Sequence, residues 1–137
     1  MTILTQGSAV GRRERVVRLG RRLVGGLFLV GGGVHVGVVA ADAEAYRGFG
    51  EMPGVLAPIR TAWRDVFMAH PSALGLAVAA GELAIGVAIL VGGPWARWGL
   101  AGAIAFHVAL LLFGLWPWSV PMLVVLALLL RAERPRP

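Results

Sequence analysis

The sequence contains no cysteine and no lysine, and only 15% of its residues are charged. Without cysteine the chain forms no disulfide, carries out no thiol exchange and offers no thiolate to a metal or an iron–sulfur cluster. Any redox role therefore needs a bound cofactor or a partner protein. Lysine codons are AT-rich, so the missing lysine points to a GC-rich genome and says nothing about mechanism. What fills the 137 positions is 58% hydrophobic, with the 20 glycines left out of that figure. Soluble domains run at roughly 45–50% apolar with glycine included. A soluble fold of this size has too much surface to hide so much apolar chain. The composition reads as a membrane protein, and the length reads as one domain over residues 1–137.

The net charge is +6, which by itself would fit a nucleic-acid partner. Its distribution does not. Of the 13 basic residues, all arginine, six lie in "GRRERVVRLGRRL" (residues 11–23) and three in "RAERPRP" (residues 131–137). Basic clusters that flank apolar spans set topology and touch anionic headgroups. The expected partners are the lipid bilayer and other membrane subunits, with no nucleic acid.

Apolar runs mark four spans, at about 23–41, 73–92, 95–115 and 118–131. A crossing needs about 20 residues. The last run, "VPMLVVLALLL", is short and must recruit the Trp-Pro-Trp before it or let Arg131 and Arg134 snorkel behind it. With arginines at both ends facing the cytoplasm, the number of crossings must be even. The sequence therefore predicts an all-α, polytopic four-helix membrane bundle in a bacterial plasma membrane. An Arg-rich amino terminus (1–22) and a tail (132–137) would both be cytoplasmic. Trp95 and Trp98 would mark the inner interface, and Trp63, Trp116 and Trp118 the outer one. The start, with "VVAADAEA" downstream, also resembles a twin-arginine signal peptide. Its apolar part is longer than the roughly 7–15 residues of a signal, so it reads as a first crossing.

The outer loop, residues 42–72, holds four of the seven acids. Within "PIRTAWRDVFMAHP", Ile59, Ala62, Trp63, Val66 and Phe67 recur at helical spacing opposite Arg60, Arg64 and Asp65. Pro58 suits a start and Pro71 a stop. This predicts a short amphipathic interfacial helix, presenting Trp63 and Phe67, that seals the bundle or recognises a substrate. Ser72 is expected to cap the second span.

Three titratable residues fall well inside the spans: His35, Glu82 and His107. At 1.5 Å per residue they lie about 9, 13 and 12 Å below the outer ends of their helices. They therefore reach nearly one level on three different helices. Charged groups at such depth are costly and face a partner inside the bundle. The level could be a structural hydrogen-bonded knot, in which Glu82→Leu would leave the histidines unpaired. It could instead be a small-ligand or quinone site, with imidazoles donating to a carbonyl. Two imidazoles and a carboxylate also suit zinc or non-haem iron, although no His-x-x-x-His or Glu-x-x-His spacing supports a metal. Proton relay is a fourth use. No cofactor motif of the chain's own appears, and no catalytic constellation beyond this level, so the sequence does not establish an enzyme.

Glycine is the other signal. Gly26, Gly33 and Gly37 share one face of the first span and read as a close helix-packing surface, with His35 on the opposite side. Gly81 and Gly86 beside Glu82, and Gly99 and Gly102 on the third span, fit the same tight packing.

Taken in order, "FLVGGGVHVG", "GELAIGVAILVGG", "PWARWG" and "AIAFHVALLLFG" resemble the DoxX-like family of small four-helix membrane proteins, over roughly residues 20–130. The resemblance carries Glu82 and the inner-turn Arg97 over as family-type positions. It implies a link to quinone-coupled sulfur oxidation or oxidative-stress defence, or to assembly. On that basis the chain is expected to be an accessory or assembly subunit of a larger redox or respiratory membrane complex. The alternative is a quinone-binding protein acting through the His/Glu/His level as part of an oxidoreductase.

Overall fold

A computed structural model describes residues 3–133, with side chains from Gly11 onward. The described chain is helical, with α1 at Ile3–Asp42, α2 at Arg47–Gly50, α3 at Ala57–Ala62, α4 at Pro71–Val91, α5 at Gly93–Leu111 and α6 at Trp116–Ala132. The tail beyond Glu133 lies outside the described residues, so the expected place of Arg134 does too.

Helix α1 runs 40 residues without a proline, about 60 Å. The arginine-rich stretch and the first apolar span are thus one continuous helix. It ends where Asp42 turns extended and its carboxylate accepts from Glu44 N–H at 2.9 Å. That contact opens a 3₁₀ turn over Ala43–Tyr46.

Helix α4 begins at Pro71, at a position where the missing N–H costs no hydrogen bond. Pro71 therefore starts a helix as well as stopping one. His70 occupies the cap position without a side-chain bond, so Ser72 sits inside the first turn and is not the cap. Gly92 (φ 87°) and Gly93 (φ 58°) make the reversal into α5, in a backbone region that glycine enters without a Cβ penalty. The third apolar run is shorter than expected, because the helix ends at Leu111 and Gly114 (φ 74°) turns the chain. Trp116 and Pro117 do join the first turn of α6.

Helix α1 packs along α4, α4 on α5 and α5 on α6, and α6 returns to touch α1. The core between them is Val24, Phe28, Ile89, Leu100, Ala103, Leu126 and Leu129. Two helices, α1 and α4, are long and apolar enough to cross a membrane, and α6 is a shorter apolar helix. Helix α5 carries Arg97 and His107 within its 19 residues.

The glycine face needs correcting. A Cβ on Gly26, Gly33 or Gly37 would meet nothing within 4 Å, whereas one on Gly25 or Gly32 would collide with Leu90 or Leu83 of α4 at 2.7 Å. The packing face of α1 is one residue out of step with the expected one, and Gly26, Gly33 and Gly37 point away from the fold. The reason is periodicity: buried positions 24, 28 and 32 follow the seam on which His35 lies. Gly86, Gly99 and Gly102 do stand against neighbours, while Gly81 faces open space.

Residues 43–70 cap one end. Leu56 N–H donates to Leu112 O at 3.2 Å, tying the cap to the end of α5. The stretch expected to lie on the surface is helical, and part of it turns inward. After α3 the chain widens into a π turn over Trp63–Phe67, and that extra residue per turn rotates Val66 out to 62% exposure. Trp63 and Phe67 stack at 3.8 Å. They pack on Tyr46 and Phe113, and Trp63 Nε1 donates to Tyr46 O at 2.9 Å. Trp63 is thus part of the cap's interior and does not stand outward as an interfacial ring.

Candidate functional site: a polar cavity beneath the cap

Glu82 lies midway along α4 and is buried, at 6% exposure. Room for its carboxylate comes from α1: a Cβ on Gly31 would stand 2.9 Å from Glu82 Oε2. A methyl group there would have to displace the end of the Glu82 side chain.

His35 faces Glu82 from one turn further along α1, with Nε2 at 3.7 Å from Oε2. On its other side Nδ1 lies 2.7 Å from the hydroxyl of Tyr46, and the two rings stack at 5.6 Å. The same hydroxyl is 3.4 Å from His35 O. The phenol has one proton, so the direction of the Nδ1 contact follows the tautomer of His35, and Nε2 is the ring nitrogen that faces Glu82. Burial pushes the Tyr46 phenol above its ordinary range, so it remains a donor at neutral pH. Tyr46 is the only tyrosine in the chain and was not among the sequence candidates. Its signal was its place just past the first apolar run, next to the cap.

His107, 3% exposed, comes from α5. Its Nδ1 donates to Ala103 O at 2.9 Å on its own helix, which leaves Nε2 of a neutral ring as an acceptor. Phe28 and Phe106 hold the ring edge-on at 5.8 and 5.7 Å. Among the described residues no ion pair or hydrogen bond joins His107 to Glu82. Glu82 thus faces His35, while His107 stands apart from that pair with its own partner. The described residues contain no group of three His, Asp or Glu side chains able to hold a metal.

What the three do share is a space. His35, Glu82 and His107 all border one cavity of about 320 Å³. Leu27, Val30 and Trp118 on its wall are 41, 64 and 52% exposed, so it reaches the surface between α1 and α6. A second cavity of about 280 Å³ lies under the cap, walled by Tyr46, Trp63, Phe67 and Phe113, and it shares His35, Phe49 and Phe106 with the first. Among the described residues Glu82 Oε2 is buried without a hydrogen-bond partner. Leaving a buried polar atom unpaired costs about 1–3 kcal/mol, so this atom is poised for an added donor.

Arg97 is exposed on the first turns of α5, ten residues from His107, or about 15 Å along the helix. It takes no part in the cavity that His35, Glu82 and His107 border. Compared with known proteins, the chain matches no family model, no curated protein and no solved structure.

Proposed function

We propose that the chain is a four-crossing membrane protein of the DoxX-like kind, with both termini cytoplasmic, that binds a small amphiphile with a quinone-type headgroup beneath its cap. The observation that supports this is the shared cavity, into which three helices bring three polar side chains. Its size falls in the roughly 300–1,000 Å³ range of small-molecule sites. The chemistry is suited to such a headgroup. With its proton on Nε2, His35 can donate to a ligand carbonyl, while Glu82 Oε2 and His107 Nε2 can accept from a ligand hydroxyl. Quinone and quinol present these two faces in turn. The apolar, laterally open wall admits a ligand already dissolved in lipid.

A chain without cysteine needs a second component to pass electrons to or from such a ligand. Association with a larger redox complex, as an accessory subunit, therefore belongs to the same proposal.

Short-chain ubiquinone or menaquinone analogues added to the detergent-purified protein should quench tryptophan fluorescence saturably, because Trp118 and Trp63 border the two cavities. Glu82→Leu should abolish the saturable phase and Arg97→Gln should preserve it. Quenching that never saturates, or that Glu82→Leu leaves intact, overturns the proposal.

A further inference from the structure

The opposite, uncapped end holds a second concavity with different chemistry. A cavity of about 640 Å³ is bordered there by Gly93, Pro94, Arg97, Trp98, Leu130 and Glu133. Arg97 makes no ion pair with any described residue. The single acid on this wall, Glu133, is already held by Arg21 at 3.3 Å. Arg21 in turn keeps a buried Nε without a partner among the described residues.

Beyond Glu133 lies a further hollow of about 230 Å³, walled by Arg13, Glu14, Arg18 and Arg21. Together the two walls carry four arginines (Arg13, Arg18, Arg21, Arg97) against two acids (Glu14, Glu133). The excess is positive, and among the described residues only Arg21 of the four is ion-paired.

The backbone adds to the same field. The first amides of α5 have no intrahelical acceptor, and the start of a helix favours negative charge. The Gly92–Gly93 reversal brings that start under Arg21, since a Cβ on Gly92 would stand 3.3 Å from Arg21 Nη2. The rest of the wall is apolar, and Trp98 on it is 75% exposed. An amphipathic ring in that position suits the headgroup layer of a bilayer.

We infer that this end is a binding site for the phosphate of an anionic phospholipid, gripped by Arg97 and Arg21 at the start of α5, with an acyl chain along Trp98, Ala101 and Leu130. Guanidinium forks match phosphate oxygens in charge and geometry. The inference rests on the membrane-spanning reading above but not on the quinone-type ligand. Inorganic phosphate presents the same oxygens without the acyl chain, so the test separates the two sources.

The full-length protein in neutral detergent is titrated with phosphatidylglycerol, with phosphatidylcholine or with inorganic phosphate, and thermal stability is followed. Phosphatidylglycerol should raise the unfolding midpoint saturably, and the other two should not. Arg97→Gln should weaken phosphatidylglycerol binding about fivefold, the effect of one basic residue at an anionic surface. It should leave quinone-analogue binding unchanged. Arg97 is the residue to change because Arg21→Gln would also strip Glu133 of its partner. Equal responses to the two lipids, or an undiminished phosphatidylglycerol response in Arg97→Gln, overturn the inference. Protection by inorganic phosphate that Arg97→Gln removes overturns the lipid assignment. Loss of quinone-analogue binding with lipid selectivity intact would sink only the cavity proposal, and release of the protein from membranes by alkaline carbonate would sink the membrane reading itself.

Discussion

His35 Nε2 and Glu82 Oε2 stand 3.7 Å apart, close enough to feel each other's charge and too far for a direct hydrogen bond. Each histidine has its own partner elsewhere, His35 in Tyr46 and His107 in Ala103 O. The acid is therefore not what satisfies the histidines. This reverses the stability expected of the leucine variant from sequence. A carboxylate oxygen buried without a hydrogen bond is itself costly, and an apolar group of similar size removes that cost. Glu82→Leu should unfold no earlier than the unliganded wild type in a thermal-shift assay while losing ligand binding. A clear loss of stability would restore the structural knot.

Glycine substitutions on α1 separate the two faces of that helix. Gly31→Ala puts a methyl group 2.9 Å from Glu82 Oε2, so it should cost about 1–3 kcal/mol through overpacking and impair ligand binding. Gly33→Ala meets nothing, and should be neutral or stabilising by up to about 1 kcal/mol from helix propensity. Equilibrium unfolding of the two variants side by side gives the answer.

Much of this was readable from the residues. The apolar runs located the helices, and the level shared by His35, Glu82 and His107 located the cavity they border. Two kinds of information were not readable. The face of α1 that packs depends on which of several adjacent glycines meets α4, and a run such as "GGLFLVGGGVHVG" offers small residues on every side. The π turn after Ala62 moved Val66 outward and Phe67 inward, and nothing in "AWRDVF" marks an i+5 hydrogen bond. Tyr46 escaped notice because its importance comes from a contact with a residue eleven positions earlier, across the end of α1.

The cap can be tested on neighbouring residues. Phe67 is buried at 8% exposure and packs on Tyr46 and Trp63, so Phe67→Ala should cost about 3–5 kcal/mol. Val66 is 62% exposed, and Val66→Ala should change stability by less than about 0.5 kcal/mol. Chemical denaturation of the two variants would expose a helix without the π turn, in which both should matter.

Topology is open to a clean test because the chain has no cysteine. Thr61→Cys on the cap and Ala132→Cys near the end of α6 each introduce a single thiol. In intact cells a membrane-impermeant maleimide should label Thr61→Cys and spare Ala132→Cys until the membrane is opened. Labelling of both from outside would contradict an even number of crossings.

The most direct measurement is native mass spectrometry of the protein extracted from its own membrane in mild detergent. The wild type should carry a lipid-soluble, non-phospholipid molecule at about one per chain by occupancy of one cavity, and Glu82→Leu from the same membrane should lack it. Wild type and Glu82→Leu giving the same spectrum, with no such molecule on either, would contradict the proposed binding.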